Sequence, residues 1–179
     1  MYIPTEKQHL YYLYKGTYYK VPTYGKIFKI IDFGRAIYKF KGKTICSDSY
    51  APNGDAATQY NTEPYFNEKK PRLEPHYGFD LCRLGCALYD ELVEEDDDDD
   101  DQQSNPKRYN PLSELIKEWC EDDKGKSILY KKNGIERYPD FKLYKMIART
   151  VHQPTPDEEL KNPFFNDYVT TKKMINKKA

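Results

Sequence analysis

The sequence predicts an α+β fold, mainly helical, in which small N-terminal β-hairpins precede a helical body. Three observations carry this. Before residue 47, short runs of Tyr, Ile, Val and Phe are broken by Lys-Gly pairs, the pattern of hairpins. After residue 77, leucines recur at spacings of three and four, the period of a helix with one apolar face. Between them, residues 47–75 show no sustained period and are rich in Pro, Asn, Asp, Ser and Thr.

Size and charge narrow the possibilities. At 179 residues the chain lies within the single-domain range. Its 29 Lys and Arg balance 29 Asp and Glu, which argues against a general binder of nucleic acid or of membrane surfaces. Only 38% of residues are hydrophobic, but eighteen tyrosines add rings that bury well. The start, MYIPTEKQHL, has no secretory signal pattern, and no apolar run approaches a membrane span. The expectation is an intracellular, cytoplasmic protein with reduced thiols.

In chain order, LYYLY (10–14) and YYKV flank Lys15-Gly16-Thr17 as a strand pair. Pro22 to Gly25 breaks it, and IFKII (27–31) reads as a third strand. AIYKF and TIC around Lys41-Gly42-Lys43 read as a second hairpin, so the hairpins span 10–46. The 47–75 stretch reads as a long ordered loop, a length often tied to function. YGFDLCRLGCALYDELV is the clearest helix, with Leu81, Leu84, Leu88 and Leu92 in register and apolar residues nearly all round, which predicts a central, buried helix. Asp80 falls in its first turn, where the helix dipole favours a carboxylate. A second helix spans NPLSELIKEWCEDD (110–123), with Pro111 near its first position and Leu112, Leu115, Ile116 and Trp119 on one face. A third lies around FKLYKMIARTV (141–151), and PDEELKN forms a short one before Pro163-Phe164-Phe165.

Eight consecutive acids, 94–101, open an acidic insertion over 94–106. Adjacent aspartates repel and resist burial, so this is a solvated loop. It lacks the spaced Gly and closing Glu of a Ca²⁺ loop. Cys46, Cys82, Cys86 and Cys120 follow no disulfide or zinc spacing. Cys82 and Cys86, at i and i+4, admit a metal pair, but His9, His76 and His152 are scattered, and buried structural thiols are the favoured reading. A basic tail closes the chain over 169–179.

The order of these features resembles the C-terminal lobe of a eukaryotic-type serine/threonine protein kinase, entered just before its Asp-Phe-Gly motif; the enlarged Tyr-rich hairpin and the acidic insertion are similar to embellishments in the kinases of large DNA viruses. Ile30-Ile31-Asp32-Phe33-Gly34 matches the strand and motif. The resemblance implies that Asp32 holds the Mg²⁺ bridging the phosphates of ATP, that Phe33 packs inward and that Gly34 lets the chain turn. Residues 47–75 then correspond to the activation segment, with Ser47, Ser49, Tyr50, Thr58, Tyr60 and Thr62 as candidate phosphate acceptors or substrate contacts. Phe79-Asp80-Leu81-Cys82-Arg83-Leu84-Gly85 is similar to the family's central helix. There Asp80 would hold the catalytic-loop backbone and Gly85 would permit close packing. Burial of Asp80 favours this assignment; exposure counts against it. Asn162-Pro163-Phe164-Phe165 resembles the family's closing motif. The resemblance covers about residues 10–168 and implies a partial kinase domain over 1–168, with a helical body from 78.

Several family elements have no counterpart. No Ala-Pro-Glu is present; Thr62-Glu63-Pro64 and Leu73-Glu74-Pro75 are its nearest echoes. The Arg that pairs with that Glu lacks an equivalent, since Arg149 falls too early. Asp32 is the first aspartate in the chain and no asparagine precedes it, so the His-Arg-Asp loop and its Asn are missing, as are the Gly-rich loop, the phosphate-pairing Lys and the αC Glu. The expectation is a truncated or pseudokinase-like chain with an N-lobe absent, inactive alone and without tight binding of ATP or Mg²⁺. Its partners would be a protein substrate, a chain supplying the missing lobe, or, if the lobe is a non-catalytic remnant, a protein that docks on it.

Overall fold

The computed structural model describes residues 2–94 and 110–171. Most of the acidic insertion and of the basic tail therefore lies outside the described residues. The architecture is mixed α/β, with small antiparallel sheets and short helices, in two compact units: residues 1–33 with 160–179, and residues 34–159. The helical elements expected over 78–168 fall in both units, with the 3₁₀ turn Pro163–Tyr168 in the first. Among the described residues no helix is long and apolar enough to cross a membrane.

In the first unit, β1 (Tyr2–Pro4) pairs with β4 (Lys26–Phe28), and β2 (His9–Tyr14) pairs with β3 (Thr17–Pro22). The β2–β3 loop has two residues, Lys15 and Gly16, both at positive φ (47° and 85°), the turn whose twist matches a hairpin. The strand expected over 27–31 is shorter, because Phe28 pairs with Tyr2 at the start of β1 and Lys29–Ile31 run past that partner. Thr23, 5% exposed, ties the connection: its hydroxyl donates to the Lys7 carbonyl and accepts from Gly25 N at 3.3 Å. Near the chain's end, Asn162 caps a 3₁₀ turn, Pro163–Tyr168, by accepting from Phe164 N at 3.0 Å. This leads into β7 (Val169–Thr170), which pairs with β3 although the sequence reads as tail from 169.

The second unit opens with the hairpin of β5 (Ile37–Phe40) and β6 (Lys43–Cys46), again around two positive-φ residues, Lys41 and Gly42. Its helices are α1 (Tyr77–Tyr89), continued by a π-helical turn over Asp90–Glu94, α2 (Pro111–Trp119), α3 (Phe141–Thr150) and the single turn α4 (Pro156–Glu159). Two start on side-chain caps: His76 Nδ1 accepts from Gly78 N at 3.1 Å, and Asn110 accepts from Leu112 N at 3.1 Å. The second helix ends at Trp119 rather than 123. Cys120 is its cap, and Glu121–Tyr138 forms turns with isolated bridges instead of further helix.

The core comprises Ala56, Leu81, Cys82, Val93, Leu115, Ile116, Trp119, Cys120, Ile128, Ile147, Ala148 and Val151. The predicted burial of α1 on all sides does not hold. Its buried line is Gly78, Leu81, Cys82 and Gly85, whereas Leu84 is half-exposed. Small residues occupy that line because α2 lies close: a Cβ on Gly85 would sit 3.0 Å from Cys120 Sγ and 3.1 Å from Trp119 Cβ. Buried polar groups are matched. Trp119 Nε1 donates to Glu159 at 2.9 Å, and Ser113 donates to the Leu92 carbonyl at 2.5 Å.

Asp122 organises the turn after α2. Its carboxylate accepts from Lys124 N (3.0 Å) and Lys126 N (3.1 Å) and pairs with Arg137 at 3.0 Å. Burial opposes its charge, but these backbone and guanidinium contacts outweigh burial and hold its pKa below the ordinary value.

Two outcomes follow from this packing. Gly85→Ala gains roughly 1 kcal/mol of helix propensity but forces Trp119 Cβ away at a cost of about 1–3 kcal/mol, so urea denaturation will show a net loss of ~1 kcal/mol. Because the folded pKa of Asp122 is depressed, its stabilisation is complete above the unfolded pKa of ~3.9 and is lost as pH falls through the folded value. Asp122→Asn will therefore lower stability at pH 7 and flatten the acid side of a stability–pH profile measured from pH 7 to 3.

Candidate functional site

The first candidate group is Asp32-Phe33-Gly34. Asp32 has φ +60°, a left-handed conformation that Asp tolerates better than most residues, and Phe33–Arg35 follows as one 3₁₀ turn. The left-handed residue is Asp32, and Gly34 lies within the 3₁₀ turn that follows it. Phe33 does not pack inward: it is 68% exposed, and Ile30 and Ile31 before it are 86% and 53% exposed. They lie beyond the end of β4, where no strand pairing directs alternate side chains into a core. Among the described residues no three His, Cys, Asp or Glu side chains are arranged to hold a metal ion. Mg²⁺ keeps several waters and is commonly held through one or two carboxylates together with substrate phosphates, and Asp32 is the one carboxylate of this group.

The second group, residues 47–75, is ordered by polar contacts that composition does not reveal. Asn61, 9% exposed, is its pin. Its amide nitrogen donates to the carbonyls of Asn67, Lys70 and Pro71 at 2.9–3.1 Å, its side-chain oxygen accepts from Asn67 N at 2.9 Å, and its backbone pairs both ways with Leu73. Arg72 clamps the loop base. It meets Glu63 through two bonds of 2.7 and 2.9 Å, meets Glu74 at 2.7 Å, and stacks 4.0 Å over the Phe66 ring. The guanidinium holds the Glu63 carboxyl down at about 2, while the Thr62 hydroxyl and then Arg72 lower that of Glu74. Both glutamates identified as echoes of the family's anchor thus share one arginine two to nine residues away in sequence, and that arginine is Arg72. Arg149 contributes differently, donating from α3 to the Thr58 carbonyl at 2.8 Å.

The candidate acceptor hydroxyls are mostly engaged. Ser47 Oγ caps a 3₁₀ turn, accepting from Ser49 N at 3.2 Å, and lies 2.8 Å from Ser49 Oγ. Tyr50 donates to the Arg35 carbonyl at 2.9 Å, and Thr62 donates to Glu74 at 2.6 Å. Tyr60 is half-buried, and burial pushes its phenol well up. Thr58 is exposed. An aromatic series, Tyr50–Tyr60–Phe79–Tyr144–Phe141, with centroids 5.5–6.3 Å apart, joins this loop to α1 and α3. Arg83 lies 4.4 Å over Tyr144 and donates to its hydroxyl at 3.2 Å.

Asp80 and Gly85 share α1 but face different surroundings. Gly85 is buried against α2. Asp80 is exposed, although neighbouring protein desolvates its carboxyl enough to raise its pKa. That exposure counts against a role gripping a buried backbone within the described residues. The sequence reading missed Asn61 and Arg72. The available signal for Arg72 was its spacing from Glu63 and Glu74; Asn61 carried none, since its partners are backbone carbonyls.

Asn61→Ala removes the pin and its bonds to the carbonyls of Asn67, Lys70 and Pro71, exposed residues that water reaches, at a cost of about 1–2 kcal/mol. Amide exchange and limited proteolysis will show residues 61–74 opening first, while the protection of α2 is retained.

No family model, no curated protein and no solved structure matches this chain.

Proposed function

We propose that the chain is the C-terminal portion of a serine/threonine protein kinase and that it does not transfer phosphate by itself. The observation that supports the reading is the succession of a turn at Asp32, a hairpin, a loop pinned over 47–75 and a helix with Asp80 in its first turn and a close-packed Gly85. In such a kinase, catalysis comes from positioning and electrostatic stabilisation around the γ-phosphoryl group. This chain would contribute the Asp-Phe-Gly residues, the substrate-facing segment and its helical support. The proton-accepting Asp and its paired Asn, the Gly-rich loop and the phosphate-pairing Lys would come from residues outside it. The exposure of Ile30, Ile31 and Phe33 fits surfaces that such residues would cover, since apolar side chains this exposed are where a partner gains most by binding; the exposed Asp80 counts against the reading.

A second reading rests on those same exposed side chains. A lobe of this kind can serve as a protein-binding module without any chemistry, and the open faces at Phe28, Ile30 and Phe33 would be its docking surface.

Two measurements separate these readings. Incubated with ATP, Mg²⁺ and protein substrates, the purified 179-residue chain will incorporate no more phosphate than its Asp32→Asn variant; incorporation above that control sinks the claim of inactivity. The native product, detected with an antibody to the C-terminal tail, will be heavier than 21.2 kDa and yield upstream peptides with a His-Arg-Asp loop. A native product of 21.2 kDa that co-purifies with a stable protein partner favours the binding module instead.

A further inference from the structure

Among the described residues the strands form three small sheets, and one edge of these sheets is unguarded. In the first unit the order is β2-β3-β7, so β3 is paired on both sides and β2 forms an edge. No described strand pairs with the other side of β2. Open edges are ordinarily guarded by Lys, by Pro or by being short. The other edge strands follow that rule: β1 holds Pro4, β4 Lys26, β5 Lys39 and β6 Lys43, and β7 has two residues. β2 does not. Its six residues, His-Leu-Tyr-Tyr-Leu-Tyr, include no Lys, Arg, Asp, Glu, Pro or Gly, and Tyr12, Leu13 and Tyr14 are exposed.

The hairpin fixes which backbone groups of β2 face outward. Its two-residue loop makes Tyr14 and Thr17 a hydrogen-bonded pair, and such pairs alternate along the ladder, at Tyr12 with Tyr19 and Leu10 with Val21. The N–H and C=O groups of Tyr11 and Leu13 therefore point away from β3. We propose that β2 pairs antiparallel with β2 of a second copy of this chain, about a two-fold axis between the two Tyr12 residues. Tyr11 exchanges both backbone bonds with the partner's Leu13, and Leu13 does the same with the partner's Tyr11. The two sheets then become one, with three strands from each copy.

The occupant is a second copy because this strand is compatible with itself. A two-fold axis sets a strand against its own reverse, so a charge near the axis meets its like and repels it. β2 carries no such charge. The opposed pairs are Tyr12 with Tyr12, Tyr11 with Leu13 and Leu10 with Tyr14, aromatic and aromatic–aliphatic contacts that favour pairing. The register follows from the same geometry. A centre between Tyr11 and Tyr12 would oppose an outward N–H to one turned inward. A centre on Tyr11 would leave the exposed Tyr14 opposite Gln8, outside the partner strand. The contact is small beside the roughly 1,200 Å² that stable complexes bury, so the dimer is reversible and depends on concentration. It involves residues 9–14 and is independent of the kinase reading.

Sedimentation velocity of the full chain, from micromolar to several hundred micromolar, will show the average mass rising from 21.2 kDa toward that of a dimer. Leu13→Pro will hold it at the monomer, because the N–H it removes faces outward and the β2–β3 ladder stays intact. Should that variant fail to fold, cross-linking carries the test and also reads the register. Opposed Tyr12 residues form a non-hydrogen-bonded pair with Cα atoms about 4.5 Å apart, within disulfide range. Tyr12→Cys in oxidised glutathione will give a covalent dimer that peptide mapping locates to residue 12. Leu10→Cys, whose two copies lie roughly 14 Å apart along the strands, will link at least about tenfold less. A dimer undiminished in folded Leu13→Pro, or equal linkage at residues 10 and 12, overturns the proposal. So does a chain that stays monomeric throughout, including one whose β2 edge is taken by a strand of another protein.

Discussion

Helix α1 lies against α2 at a distance that position 85 sets by having no side chain, and the packing of the 34–159 unit depends on that approach. With Gly85 opposite Trp119 and Cys120, the two helices close far enough for Ile116 and Trp119 to leave water and for Cys82 to reach the Ile128, Ile147 and Val151 cluster. Interiors are packed densely enough that a single added carbon at such a contact must move a neighbour. The neighbour here is a tryptophan whose indole is itself fixed by Glu159, so the contact constrains α2 and α4 together. The same approach sets the Cys120 sulfur against position 85 of α1.

Where apolar burial is sparse, hydrogen bonds to backbone carry the order. Residues 47–75 bury few side chains, chiefly Ala56, Gln59 and Asn61. A loop with so little apolar area cannot offset its conformational entropy by burial alone. Asn61 compensates by satisfying several carbonyls from one buried amide, and Arg72 by drawing two carboxylates to the loop base. Asp122 does the same for the turn after α2, using two backbone N–H groups and Arg137. In each case a single polar side chain replaces the hydrophobic contacts that would otherwise hold the segment, and its loss is felt locally.

The two units differ in how they manage apolar surface. The 34–159 unit holds the buried aliphatic cluster, although Ile45, Leu84 and Ile135 stay exposed, while the other unit leaves Phe28, Ile30, Tyr24 and Leu13 largely exposed. A three-residue pairing such as β1 with β4 has too few residues to cover both faces of its own sheet. Exposed rings and aliphatics at the end of such a strand are surfaces on which association would gain free energy.

The sequence by itself determined the elements that rest on local rules. The Lys-Gly turns fixed both hairpins because positive φ at two successive positions favours that twist, and Asn110-Pro111 marked the start of α2 because cap and first-turn preferences are local. Leucine spacing located α1 but misjudged its buried side, since periodicity reports which residues share a face and not which face meets a neighbour; the small residues Gly78, Cys82 and Gly85 mark the contact instead. The extent of β4, the exposure of Phe33 and Asp80, and the roles of Asn61 and Arg72 were settled only in the tertiary structure. Each depends on partners distant in sequence, or on backbone carbonyls that every residue carries and no composition distinguishes.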